Sequence, residues 1–572
     1  MGKPRILIVG GVAGGANAAT RARRMNEQAE IVVFEAGEHV SFANCGLPYY
    51  IGGQIADRGK LFLATPAYFK STFNIDVRTG HEVLEIDRAG RRIQVLNRAT
   101  GERRWESYDK LILSPGASPI VPPWDGVASE NVFTLRDVAD TDRIKSYVDG
   151  QGPRRAVVIG AGYIGLEMVE ALVERGLAVT VVEQQPQILP LLDAEIAAEI
   201  EAVLRKRGVE LHLARTVERL TVRDGRVTQV HLAAHPETLK SDRLEAGPTQ
   251  TDRLEAGPTR ASLPADLVLL AMGVRPNVKL AASAGLTIGA SGAIAVNEYS
   301  QTSDPDIYAV GDAAEVRHVV LGRSVRVPLA GPANRNGRLA GEHAVTGRSA
   351  RATPVAGTAI VGVFGKAAAA TGLSVRAAEQ AGYHVGWSYA IRGHHVGYYP
   401  GAEQMILKLV YERRTRRVLG AQAVGGAGVD KRIDVVATVL HFGGTIDDLA
   451  GLDLAYAPQF GAAKDPVHIA AFVAQNEKDG LIRQRGVGEP PTDGQLIDVR
   501  SEQEVAAGAR PGAVNVPLHT LRGRLDEFYR DRPVYVYCGV GQRAYNAARI
   551  LVQHGFQDVW NLAGGTTLQM RT

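Results

Sequence analysis

Cys45 and Cys538 are the only two cysteines in 572 residues, and each lies in a setting that suits a reactive thiol. Cys45 is flanked by Ser41-Phe42-Ala43-Asn44 and Gly46-Leu47-Pro48-Tyr49, whereas Cys538 opens the run Cys538-Gly539-Val540-Gly541-Gln542-Arg543. Glycine and proline close to Cys45 suggest a backbone shaped around a reactive atom. No second cysteine stands near it, so it cannot close a local disulfide. Its redox cycle must therefore run through a mixed disulfide, a persulfide or a sulfenic acid. In the second run the backbone N–H groups of a short loop, with the start of the helix that follows, can stabilise the charge of a sulfane sulfur. Two thiols so far apart argue against a disulfide framework and for chemistry in a reducing compartment, which makes the cytoplasm the expected location.

The segments before and between these thiols read as dinucleotide-binding units. Ile6-Leu7-Ile8-Val9 is a buried strand, Gly10-Gly11-Val12-Ala13-Gly14-Gly15 turns into a helix over Ala16 to Met25, and Ile31-Val32-Val33-Phe34 is a parallel strand ending in Glu35. Glycines here let the backbone approach a pyrophosphate at a helix N-terminus, and the acid takes ribose hydroxyls. Val12 occupies the second glycine position of G-x-G-x-x-G, so this unit alone leaves a non-binding turn open. The pattern then returns in full as Gly160-Ala161-Gly162-Tyr163-Ile164-Gly165, followed by a strand ending in Glu183. Two units imply two dinucleotides. The expected contacts are Gly10, Val12, Ala13, Gly14 and Glu35 in the first unit and Gly160, Gly162, Tyr163, Ile164, Gly165 and Glu183 in the second. Gln184 and Gln185 follow Glu183 with no arginine, which favours NADH and leaves NADPH as the lesser choice.

Three further segments complete a pattern: Ser114-Pro115-Gly116, Gly273 within Ala271-Met272-Gly273-Val274-Arg275-Pro276-Asn277, and Gly311-Asp312 after the strand ending at Val310. With them the chain resembles the flavoprotein disulfide reductases over about residues 5–470. The resemblance implies FAD on the first unit, with Asp312 on its ribityl and pyrophosphate part and Ala330 also in contact, and NADH on the second unit. The stretch around Cys45 resembles the coenzyme A disulfide reductases and the NADH-dependent persulfide and polysulfide reductases. NADH oxidases and peroxidases, whose single cysteine cycles through sulfenic acid, are the alternative.

Tyr398 and Tyr456 match elements from which coenzyme A disulfide reductases present tyrosines to the partner subunit's cysteine, so a homodimer is expected. A phenol beside a leaving thiolate can donate a proton. The same resemblance implies a coenzyme A site made of Arg21, Arg24, Ser41, Phe42 and Asn44, with Asn334 and Arg338 from the other subunit. Beyond a linker that starts at Asn476, the chain resembles a rhodanese domain over 491–572, with Cys538 as nucleophile and Arg543 closing its loop. Related phosphatases use one more residue in that loop, because a tetrahedral phosphate needs a wider ring of donors.

The expected fold class is α/β: two Rossmann-like domains, an α+β dimerisation domain and a C-terminal α/β rhodanese domain. The boundaries read as FAD domain 1–117 and 269–330, NAD(H) domain 118–268, dimerisation domain 331–475, linker 476–490 and rhodanese domain 491–572. A formal net charge of +4, from 65 basic and 61 acidic residues, gives no case for nucleic acid. No apolar run long enough to span a membrane and no metal-ligand cluster is evident. Ser241 to Arg260 holds a tandem near-duplicate of ten residues, polar and rich in Gly-Pro, read as an exposed extension without assigned function. The expected activity is FAD-dependent reduction of sulfur–sulfur bonds by NADH in sulfur metabolism. Its substrate is expected to be coenzyme A persulfide, polysulfide or coenzyme A disulfide, with Cys45 as redox centre and Cys538 handling sulfane sulfur.

Overall fold

The computed structural model describes residues 3–234, 261–486 and 493–569, so the near-duplicate at 241–260 lies outside the described residues. The chain forms two compact units, Met1–Leu189 with Arg205–Gly357, and Pro190–Leu204 with Thr358–Thr572.

In the first unit, Arg5–Val9 and Arg155–Ile159 are buried on both faces, which is why they read as unbroken apolar runs and not as alternating ones. Each is the middle strand of a five-stranded sheet. One sheet runs Ile307–Ala309, Lys110–Leu113, Arg5–Val9, Glu30–Glu35, Asp76–Thr79; the other runs Glu210–His212, Ala178–Val182, Arg155–Ile159, Leu267–Leu270, Val132–Phe133. All pairings in both are parallel. The connections go one way from the middle strand and then cross to its other side. That reversal opens a crevice at the carboxyl ends of the strands, where doubly wound sheets bind ligands.

The helix Ala330–Thr346 lies against Ala13–Met25 at very short range. A Cβ on Gly337 would fall 2.2 Å from the Gly14 carbonyl oxygen, and one on Gly341 would fall 2.2 Å from that of Ala18. Since the compact unit continues to Gly357, we propose that the dimerisation domain begins after that residue and not at 331.

The second unit holds an antiparallel five-stranded sheet in the order Ala359–Val363, Lys366–Gly372, Val418–Gly425, Gln404–Glu412, Val385–Gly393. Pro190–Leu204 leaves the first unit to join this one. Lys408 Nζ lies 2.7 Å from Asp193 and 2.5 Å from Glu195, all three side chains being nearly inaccessible. Tyr389 donates a hydrogen bond to Glu195, and Gln422 donates to Asp193, so the buried charges are paired and hydrogen-bonded as burial demands.

The C-terminal part is a parallel sheet in the order Arg483–Arg485, Val559–Leu562, Val534–Tyr537, Gln495–Asp498, Val514–Asn515. The helix Pro466–Lys478 runs into the expected linker, and Arg483–Arg485 already belongs to this sheet. We therefore propose a linker shorter than 476–490.

Candidate functional site

The two glycine-rich turns are built alike. Gly10 and Gly160 adopt φ of +92° and +105°, which L-residues with a side chain avoid. A Cβ on Gly15 would strike the Gly10 carbonyl at 1.9 Å, and one on Gly165 would strike the Gly160 carbonyl at 2.2 Å, so each helix starts tight against its strand. Gly15, in the run read from the sequence, thus does the close-packing work, while Val12 precedes the helix with no side-chain cap. Glu35 accepts the N–H groups of Gly11 and Gly37, both at 2.8 Å. Glu183 repeats this on Ala161 and Gln185, again at 2.8 Å. Each acid is thereby fixed at the end of the second strand, where a ribose would lie. Space remains at Gly162, where an added Cβ would meet nothing within 4 Å, and Ile164 is exposed beside it. This cradle of free backbone fits a pyrophosphate.

Ser114, Gly14 and Gly311 converge on the first turn: a Cβ on Gly14 would lie 2.9 Å from Ser114 Oγ, and one on Gly311 would lie 3.5 Å from it. Asn277 holds the turn at Pro115 and Gly116, its side chain donating to the Pro115 carbonyl at 2.8 Å and its N–H to that of Gly116 at 3.0 Å. Burial pushes the Asp312 carboxyl above its ordinary range, against the pull of Arg326. Ala330 starts the helix Ala330–Thr346, and Gly273 takes a φ of +99°.

Cys45 lies in a short 3₁₀ turn, Asn44–Gly46, that runs directly into the helix Leu47–Gly52 with Pro48 in its first turn. It is exposed. Four residues on, Tyr49 donates its hydroxyl to Glu167 Oε1 at 3.1 Å, while a Cβ on Gly52 would come within 3.1 Å of Ala171. The cysteine helix is therefore tied to Tyr163–Glu174, the helix of the second glycine-rich turn. Desolvation first, then the Glu167 and Asp312 carboxylates, raise the Cys45 thiol above its usual pKa. Burial, with Glu167 adding, pushes Tyr49 up to about 12. Neither Tyr49 nor Glu167 was among the site residues expected from the sequence. Their partnership spans 118 residues and carries no local signal.

The expected coenzyme A residues fare unevenly. Arg21 donates to Glu342 at 2.9 and 2.5 Å, and Arg24 is exposed, stacking toward Phe73. Phe42 is 8% exposed and bridges to Phe62 through its backbone, so its ring belongs to the core. Ser41 holds a φ of +47°, and Asn44 is exposed with its amide on the Arg136 carbonyl. Asn334 hydrogen-bonds Asn17 of the same chain, and Arg338 is exposed on the same helix. Asn334 and Arg338 thus lie on a helix that packs against the helix of Arg21 and Arg24 in the same chain.

In the second unit, the hydroxyls of Tyr398 and Tyr456 are 3.0 Å apart, with 75% and 46% of each residue exposed. That hydrogen bond raises the Tyr456 phenol above its ordinary pKa, so it stays a proton donor at neutral pH. Beside the pair is a cavity of about 490 Å³ whose walls include His394, Lys431, Tyr456 and Phe460. Arg432 braces it, with Nη2 on Asp465 at 2.8 Å and on the His394 carbonyl at 2.6 Å, the guanidinium being fully buried. Cys538 is also buried; it directly follows the strand Val534–Tyr537, and the Gly541 N–H donates to its Sγ at 3.1 Å just before the helix Gln542–Gln553.

Residues 4–337 match the model of the pyridine nucleotide-disulphide oxidoreductases, residues 358–466 match the dimerisation domain of that family, and residues 484–568 match the rhodanese-like domain. The chain belongs to the pyridine nucleotide-disulphide oxidoreductases. It is 35% identical over 474 residues to a coenzyme A disulfide reductase of Staphylococcus aureus, covering 82% of this chain and all of that one. Among solved structures it resembles the reduced CoADR-RHD of Bacillus anthracis, with a TM-score of 0.92, 41% identity and 100% and 98% of the two chains covered. An NAD-dependent persulfide reductase of A. fulgidus gives 0.90, 38% identity and 99% of each chain. As a member of this family the protein is an FAD-dependent enzyme that oxidises NADH and acts on sulfur–sulfur bonds. Among the described residues no helix is long and apolar enough to cross a membrane, and no cluster of side chains could hold a metal ion.

Proposed function

We propose that the enzyme reduces persulfides or disulfides of coenzyme A through Cys45 and passes sulfane sulfur through Cys538. The observation that carries this reading is a lone exposed thiol at the start of a helix tied to the nicotinamide-side turn, together with a second thiol cradled in a rhodanese loop. Cys45, as thiolate, attacks one sulfur of the substrate; the other sulfur leaves as a thiol or as hydrosulfide and takes up a proton. A second copy of the chain in a homodimer would offer the Tyr398–Tyr456 pair as the donor of that proton, since a phenol held above its ordinary pKa remains protonated until a stronger base forms beside it. The mixed disulfide left on Cys45 needs two electrons to reopen and restore the thiolate. FAD held by the Gly10–Gly15 turn, Glu35, Ser114 and Asp312 would supply two electrons drawn from NADH. Arg21, Arg24, Asn334 and Arg338 form a basic, polar face on adjoining helices that suits the phosphates of coenzyme A.

The test is Cys45→Ser. The variant should keep its flavin and still be reduced by NADH, yet lose sulfur reduction by at least about three orders of magnitude, roughly 4 kcal/mol of transition-state stabilisation. Anaerobic NADH consumption with coenzyme A persulfide set against hydrogen peroxide separates this activity from a peroxidase cycle. Turnover with peroxide alone, or near-normal persulfide turnover in the variant, would sink the proposal.

A further inference from the structure

Of the six residues from Cys538 to Arg543, only Arg543 carries a charge. Its guanidinium is paired with Glu504, Nη1 donating to Oε2 and Nη2 to Oε1, both at 2.6 Å, and it also faces the Cys538 sulfur. Glu504 is fixed in turn, because its Oε2 accepts the Ser501 N–H at 3.0 Å and hydroxyl at 3.1 Å, closing a capping box on the helix Glu502–Ala506. A bidentate pair of this kind holds both partners in one orientation. Arg543 keeps the Glu504 carboxyl down at about 2, so the pair stays ionised at any working pH. The guanidinium also borders the loop, with Nη2 at 3.8 Å from where a Cβ on Gly539 would stand.

With the Arg543 charge offset by Glu504, the loop's remaining positive potential is chiefly that of its backbone. The Cys538 and Gly539 carbonyls are taken up by the N–H groups of Thr566 and Thr567 at 2.9 and 3.0 Å. The Gly541 N–H points at the sulfur. The helix beyond adds only about half a positive charge. Such a cradle matches a single negative charge and is too weak for two beside a thiolate.

We propose that Glu504 sets the donor class of this loop: by pairing with Arg543 it makes Cys538 take sulfane sulfur from thiol persulfides in preference to thiosulfate, a dianion. In that step the Cys538 thiolate attacks the outer sulfur of R–S–SH. A bond from that sulfur to Cys538 forms as the donor's S–S bond breaks. The electron pair leaves with R–S⁻, which takes the proton of the outer sulfur, giving R–SH and Cys538–S–S⁻ with no net oxidation. The inference rests on the sulfur-carrying role proposed above for Cys538.

The experiment uses full-length protein carrying Cys45→Ser, so that Cys538 is the sole thiol, and reads by mass spectrometry the rate at which its peptide gains one sulfur. Glutathione persulfide should load it at least about tenfold faster than thiosulfate. Adding Glu504→Gln frees the guanidinium and should raise the thiosulfate-to-persulfide ratio about tenfold; adding Arg543→Gln as well should bring the ratio back down. Loading of both donors slowed in the same proportion by Glu504→Gln would show a structural role only and overturn the inference, as would equal rates in the intact loop. Loading by neither donor would overturn the sulfur-carrying role itself.

Discussion

The thiol of Cys45 is exposed, yet it is surrounded by groups that oppose its ionisation. Desolvation and two carboxylates work against the thiolate, and the one on Glu167 is held in place by Tyr49. Taking away that negative charge must favour the thiolate. In Glu167→Gln, the pH profile of Cys45 alkylation in the flavin-bound, NADH-free enzyme should shift to lower pH, with faster modification at neutral pH. An unshifted profile would mean that Glu167 is too well screened from the sulfur to matter. At this scale the sequence was informative about residues whose type announces a function, the cysteines, the turn glycines and the acids after the second strands. It was silent about Tyr49, Glu167 and Glu504, which are ordinary residue types made functional by a partner distant in the chain. Phe42, expected beside the substrate, is buried at 8% exposure, because an aromatic ring next to a reactive segment can equally pack into the core.

Among the elements, those buried on both faces were legible, since unbroken runs such as Ile6-Leu7-Ile8-Val9 admit few other readings. Ala330–Thr346 was read as the entry to the dimerisation domain, and its contact face, made largely of glycine and alanine, gives little apolar signal to place it elsewhere. Its seat against Ala13–Met25 depends on the missing side chain of Gly337. A methyl group there would meet backbone at 2.2 Å, and backbone cannot swing aside as a side chain can. Gly337→Ala should therefore lower stability by about 1–3 kcal/mol. It should also weaken flavin retention, since Gly14 lies in the turn expected to hold FAD. Chemical denaturation and the absorbance of bound flavin after gel filtration check the two effects. Full stability with full flavin content would show that the helices can separate without loss.

Across the whole molecule, the excursion of Pro190–Leu204 out of the first unit was invisible in the sequence, which places these residues inside an uninterrupted nucleotide-binding pattern. What anchors them is one cation between two acids. Lys408→Met would leave Asp193 and Glu195 buried beside an apolar side chain, a loss of about 3–5 kcal/mol for a broken buried pair. Lys408→Arg should recover part of it, and urea denaturation of the three proteins measures both numbers. A Lys408→Met variant as stable as the parent would mean that tyrosine and glutamine alone satisfy the acids. The same anchor has a consequence for how the protein is made. Glu195 emerges from the ribosome 213 residues ahead of Lys408, an interval of about 10–40 s at ordinary elongation rates. Through that time two acids meant for the interior wait in water without their counter-charge, and the first nucleotide-binding sheet also waits for Ile307–Ala309 to become its edge strand. Neither the buried anchor nor that sheet can be completed until these later stretches of the chain have been made, past the midpoint of synthesis.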